Sequence, residues 1–130
     1  ENCVWLTEKV CVTQTDIRNI QLAKAAIAAG IHILLNEKGI KYKDVKRLIL
    51  AGGFGTYLNK ESAARIGLIP SELLPVTQAV GNAAGEGAVS AAISKEAREQ
   101  VKKIQEHMHY IELSMHPEFS DAYMDLMYFE

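Results

Sequence analysis

Two apolar runs in this chain break off on glycine, and that pattern restricts the fold more than any other feature. The run Leu48, Ile49, Leu50, Ala51 leads straight into Gly52, Gly53, Phe54 and Gly55. The run Ala79, Val80 leads into Gly81 and Asn82, with Gly85 and Gly87 close behind. The first run does not alternate cleanly, so it reads as a strand over residues 46–51 covered on both faces. A second strand is expected over residues 76–80. In open α/β sheets ligands sit beyond the carboxyl ends of strands. Two bare strand ends would then form two walls of one crevice. Glycine has no Cβ, so a flat ring or a phosphate can touch the main chain, and amides at the next helix start can donate to it. A plain turn that needs positive φ explains the same residues. Both explanations remain open on these residues alone.

The rest of the chain alternates in type. Residues 4–6 and 10–13 read as short strands around the turn "TEK". Thr13 with Asp16 three residues on resembles a capping box. Ile17, Ile20, Ala23, Ile27, Ile31 and Leu34 follow at helical spacing, which predicts a helix over residues 14–38 that stops at Gly39. Its alanines suggest close packing on more than one side. Gly30 inside it costs on the order of 1 kcal/mol relative to Ala, and close backbone approach is the expected compensation. Asn59 caps a short helix, "KESAARIG", and "IPSELLP" reads as a loop. Residues 82–108 read as helix, capped by Asn82 and broken or bent near Ser94. "YIELS" is expected to be a last strand, and "HPEFSDAYMDLMYF" a C-terminal helix with Pro117 near its first turn. The order β-β-α-β-α-β-α-β-α predicts an α/β layer fold, one domain over residues 1–130.

Composition narrows the class. With 130 residues, 48% apolar and 23% charged, the chain is long enough for a real core. A formal net charge of −2 with interspersed signs gives no basic stripe for nucleic acid. The longest apolar-rich stretch, residues 22–35, contains Lys24 and His32 and is too short to span a bilayer. No signal peptide is visible, which favours the cytoplasm. A start on Glu1 rather than Met points to a piece of a longer chain. Cys3 and Cys11 are expected to be free thiols, a hairpin disulfide being the other option. No close-spaced cysteine pair is present to hold zinc or an iron–sulfur cluster.

Named nucleotide motifs mostly fail. Counting G-x-G-x-x-G/A from Gly53 puts Leu58 at the sixth position, and counting from Gly85 puts Ser90 there. Gly81 to Gly87 contains no lysine, so it is no P-loop. If a nucleotide binds, these glycines suit its adenosine end better than its phosphates.

"DVKRLILAGGFG", between a long helix and a short one, resembles the adenosine motif of the superfamily that holds actin, sugar kinases and heat-shock chaperones. More narrowly, "TQTDIRNIQLAKAAIAAGI", "LAGGFGTYLNKESAARIGLIP", "VGNAAGEGA" and "YIELSMHPEF" resemble the C-terminal part of the ATP-dependent reductive activators of corrinoid proteins. The resemblance implies a mixed sheet flanked by helices, one lobe of an actin-like (ribonuclease H-like) ATPase fold. It implies a role in returning corrinoid proteins of methyltransferase systems from cobalt(II) to cobalt(I), with ATP as cofactor and Mg in the full-length protein. Gly52, Gly53 and Gly55 would line an adenosine pocket with Phe54 beside it, and Gly81 and Asn82 would sit near the same crevice. No catalytic residue is assigned. The chain lacks the Asp-x-Gly phosphate loop and the cluster-binding cysteines of such proteins, which places the iron–sulfur centre elsewhere in the polypeptide. The expected partners are a corrinoid protein, the rest of the chain's own polypeptide and a possible second copy.

Other candidates carry two explanations each. Arg18, Gln21 and Lys24 lie along one side of the long helix. A nucleotide contact by Arg18 or Lys24 competes with a solvated face, which the residues favour. His107, His109 and His116 invite a metal reading, but His107 and His109 are two apart and so point to different helix faces, and a metal site is not assigned. Glu86 serves either as polar lining or as a favourable charge at a helix start. Met124, Met127, Tyr128 and Phe129 suggest core packing before partner docking. Another superfamily ATPase or kinase lobe, or a packing or dimerisation module, is the alternative to a corrinoid activator.

Overall fold

The computed structural model describes residues 3–129. The chain opens with an antiparallel hairpin, β1 (Cys3–Trp5) and β2 (Cys11–Thr13), in register Cys3↔Thr13 and Trp5↔Cys11. Helix α1 (Gln14–Glu37) starts at once. The Thr13 hydroxyl accepts from the Asp16 amide at 3.2 Å, and the Asp16 carboxylate accepts from the Thr13 amide at 2.8 Å. The expected capping box is therefore present, with Asp doing the work of the usual Glu.

Helix α1 packs along α6 (Phe119–Asp125), the last regular element. Ala25, Ala28, Ala29 and Ile33 form its buried face, while Ala26 and Ile27 are exposed. The small side chains thus serve one face, not several. Gly30 is also buried, and a Cβ there would sit 3.4 Å from Leu113 Cδ1. The expected close approach is made by a side chain, not by a second backbone.

Strand β3 (Leu48–Leu50) pairs in parallel with β4 (Thr77–Ala79), in register Leu48↔Thr77 and Leu50↔Ala79. Between them lie α2 (Gly53–Tyr57), α3 (Lys60–Arg65) and a 3-10 helix over Ser71–Val76, where the sequence suggested a loop. Asn59 Oδ1 caps α3 by accepting from the Ser62 amide at 2.7 Å. Ala63, Leu68 and Ile69 form the core here, with Leu48, Leu58, Ala64 and Ile66 packed on it. Ile33, Ile69 and Leu73 are the largest fully buried side chains, each worth roughly 1.5–3 kcal/mol of burial.

Three expectations are corrected. There is no single mixed sheet among the described residues: the hairpin and the β3–β4 pair are separate two-stranded sheets. Ile49 is 51% exposed, so β3 is not covered on both faces. "YIELS" forms no strand. The Glu112 carboxylate accepts from the Ser114 hydroxyl at 2.6 Å and from the Tyr110 hydroxyl, and a 3-10 helix over Leu113–Met115 follows. Local side-chain bonds there take the place of a sheet ladder.

The sequence 82–108 folds as two helices, α4 (Ala83–Ile93) and α5 (Lys95–Glu106). Ser94 is the break that was expected. Its amide donates to Ser90 O at 3.0 Å, and its hydroxyl accepts from the Ala97 amide at 3.1 Å, ending one helix and capping the next. Helices α4 and α5 pack on each other more than on any other element, and neither contains a buried residue.

Candidate functional site

The parallel register of β3 and β4 carries both glycine-rich strand ends to the same edge. The ladder continues past the strands: Val80 N donates to Leu50 O at 3.0 Å, and Gly52 N to Gly81 O at 2.6 Å. The two tips are therefore neighbours joined by a main-chain hydrogen bond. Gly52 has φ 93° and Gly81 φ 67°. Both need the left-handed region that side chains disfavour, so the turn explanation holds at these two positions.

The other glycines divide by what surrounds them. Gly55 is buried, and a Cβ there would lie 3.1 Å from Leu50 Cβ and 3.2 Å from Leu50 C. It is glycine so that α2 can sit against β3. A Cβ on Gly85 would lie 2.4 Å from Asn82 Nδ2. That glycine makes room for the Asn82 side chain, whose Oδ1 caps α4 by accepting from the Gly85 amide at 3.1 Å. Gly53 has neither reason: its φ is not positive, and a Cβ there meets no heavy atom within 4 Å. The same openness surrounds Gly52 and Gly81. Phe54 is 76% exposed and does not fill this space. The Thr56 hydroxyl donates to Gly52 O at 2.9 Å and ties α2 to the first tip.

Lys24 departs from the solvated-face expectation. Only 3% exposed, it donates from Nζ to Leu126 O at 2.7 Å and Tyr128 O at 2.5 Å, with the Phe129 ring centroid 5.2 Å away. A buried ammonium thus satisfies two carbonyls of the segment just past the end of α6. The sequence signal was available: Lys24 lies seven residues after Ile17 and four before Ala28, on the inward stripe. Arg18 is exposed. Among the histidines, His107 Nδ1 contacts Lys103 O at 2.7 Å and His116 Nε2 pairs with Glu37 at 3.0 Å. No cluster of three or more metal-binding side chains occurs among the described residues.

Titration shifts fall outside the glycine edge. Hydrogen bonds from the Thr13 main chain, then its hydroxyl, hold the Asp16 carboxyl below its ordinary value. Burial, then the Glu72 charge, pushes the Tyr42 phenol up. A hydrogen bond with the Cys3 thiol, then burial, raises Cys11, and both thiols are free. Among the described residues no helix is long and apolar enough to cross a membrane.

Comparison with known proteins gives a consistent set. Residues 3–130 match the family described as the C-terminal domain of RACo, the ASKHA domain. The corrinoid activation enzyme RamQ of Eubacterium limosum is 40% identical over 116 residues, 88% of this chain and 19% of that protein. The reductase of the Co(II) methylated amine-specific corrinoid protein of Methanosarcina barkeri is 33% identical over 67 residues, 52% of this chain and 12% of that protein. A solved reductive activator for corrinoid, iron-sulfur protein superposes with TM-score 0.80 at 38% identity, over 90% of this chain and 19% of the other. The chain therefore spans about a fifth of the length of RamQ and of the solved activator. With its mixed α/β architecture and this match along nearly its whole length, the chain belongs to the RACo C-terminal, ASKHA-domain family.

Proposed function

We propose that this chain is the nucleotide-binding C-terminal lobe of an ATP-dependent reductive activator, one domain of a longer cytoplasmic polypeptide. The whole activator would return the cobalt(II) of a methyltransferase-system corrinoid protein to cobalt(I), a one-electron reduction. The observation that supports this reading best is the open edge at Gly52, Gly53 and Gly81, where an added Cβ would meet no heavy atom within 4 Å. A nucleoside has room to lie against that main chain. In this reading Gly52, Gly53 and Gly81 hold the adenosine, and Phe54 is the exposed ring beside it. Gly55 supports the first tip from beneath, and Asn82 shapes the second by capping α4. Arg18 remains the candidate for a polar contact, whereas Lys24 serves the C-terminal segment.

ATP would supply the free energy that makes the uphill electron transfer feasible. This chain's own part is to bind and orient the nucleotide. An iron–sulfur cluster does not fit the residues here: clusters take four ligands, mostly thiolates, and the chain has two cysteines. The electron source in this reading lies outside these residues.

A chimera tests the proposal. This chain replaces the matching segment of RamQ, and ATP-dependent reduction of that enzyme's corrinoid protein is followed by the cobalt absorption spectrum. The expected result is retained, ATP-dependent reduction. A folded chimera that reduces the corrinoid equally well without ATP, or not at all, contradicts it.

A further inference from the structure

Strands β1 and β2 bring the chain's two cysteines together. The register Cys3↔Thr13 and Trp5↔Cys11 puts Cys3, Trp5, Cys11 and Thr13 on one face of the hairpin, with the cysteines at diagonal positions. The Cys11 thiol is hydrogen-bonded to the Cys3 thiol, and both are free and half-buried. Diagonal neighbours across an antiparallel pair stand about 7–8 Å apart. A disulfide bridges up to about 7 Å between Cα atoms without main-chain movement, so a direct S–S bond is poorly set here. Two metal–sulfur bonds of about 2.3 Å each reach about 4.6 Å between sulfurs, so an ion can join thiols that a direct bond does not.

We infer that Cys3 and Cys11 form a two-thiolate site for a soft monovalent cation, Cu(I). Among common ions, soft thiolates select copper(I) and zinc. Zinc in a closed site asks for four ligands. No group of three or more His, Cys, Asp or Glu side chains that could hold a metal occurs among the described residues. Cu(I) is satisfied by two thiolates. The negative charge of Asp16 acts on Cys11 and adds to the attraction for a cation. Its Oδ2 accepts from the Thr13 amide and hydroxyl, which commits that carboxylate to the α1 cap. Binding releases the two thiol protons to solvent and changes no oxidation state. The inference does not depend on nucleotide binding at the glycine edge.

Anoxic titration of the reduced chain with Cu(I) held by bicinchoninate, a competing chelator, tests it. Trp5, the chain's one tryptophan, lies opposite Cys11 and supplies a second readout by fluorescence. Cu(I) is expected to leave the chelator for the chain and to quench Trp5. C3S and C11S should each keep the parent's thermal midpoint and weaken Cu(I) binding by about 100-fold or more, beyond the cost of losing an outer hydrogen-bond partner. Zn(II) should bind far more weakly than Cu(I), because half of its ligands are missing. Four results would overturn the inference. They are Cu(I) that stays with the chelator, a single-cysteine variant that binds like the parent, Zn(II) that binds as tightly as Cu(I), and copper uptake that leaves Trp5 fluorescence unchanged.

Discussion

The α1–α3–α6 half of the molecule and the α4–α5 arm are both helical but are stabilised differently. In the first half Ile33, Ile69 and Leu73 are fully buried. In the arm Val89 is 60% exposed, Ile93 82% and Ile104 61%, and no residue is buried. Burial, not helix propensity, supplies most helical stability in proteins. The first half therefore holds itself together, while the arm rests on its own caps and on the contact between its two helices.

The contrast is tested most strongly in the cores. Ile33→Ala should lower the unfolding free energy by about 2–5 kcal/mol in urea denaturation, and Ile104→Ala by no more than about 0.5 kcal/mol. Comparable losses would break the distinction. A smaller difference is expected between two glycines that flank Phe54. Gly55→Ala should cost about 1–3 kcal/mol because Leu50 occupies the space its methyl needs. Gly53→Ala should be nearly neutral to stability, or slightly favourable through helix propensity. Equal costs at both positions would refute the packing argument for Gly55.

These positions show what the sequence made legible. The capping box at Thr13, the cap at Asn59 and the break at Ser94 were readable because each is a local hydrogen-bond rule carried by two or three residues. The strand at "YIELS" was misread because β-propensity is decided by a partner strand, and Glu112 bonds its own neighbours instead. The single sheet failed for the same reason: pairing is a long-range property. At the candidate site the glycines were visible as a group. Their separate duties were not, because Gly53 and Gly55 differ only in what a Cβ would strike. Lys24 reads in sequence as a nucleotide contact or a solvated side chain, yet its spacing puts it on the inward face, where it is buried.

Caps sharpen the comparison at lower energy. Thr13→Ala should remove about 1 kcal/mol of global stability. Ser94→Ala should leave the global transition nearly unchanged and instead speed amide hydrogen exchange within α5, because the arm opens independently of the core. Loss of global stability from Ser94→Ala would show that the arm is coupled to the rest after all.

The smallest effect is on pH. The Asp16 carboxyl is held below its ordinary value of 3.8 by Thr13, so the ionised form is favoured in the folded chain. Its contribution is complete above the unfolded-state pKa and is lost as pH falls through the lower folded-state value. Asp16→Asn should flatten the acid limb of the thermal midpoint measured against pH, and it should leave exchange in α5 unchanged. An acid limb identical to that of the parent chain would show that this carboxylate contributes nothing.

The central claim is that main chain left bare at the tips of β3 and β4 receives a nucleoside, and Gly53→Val tests it most directly. A Cβ at this position meets no heavy atom within 4 Å. ATP titration by NMR should give saturable shifts at Gly52, Gly53 and Gly81 in the parent chain. The variant should keep the parent's thermal midpoint to within a few degrees and lose affinity by about tenfold or more. Unchanged ATP affinity in a folded Gly53→Val chain, or shifts confined to residues away from these tips, would contradict the account.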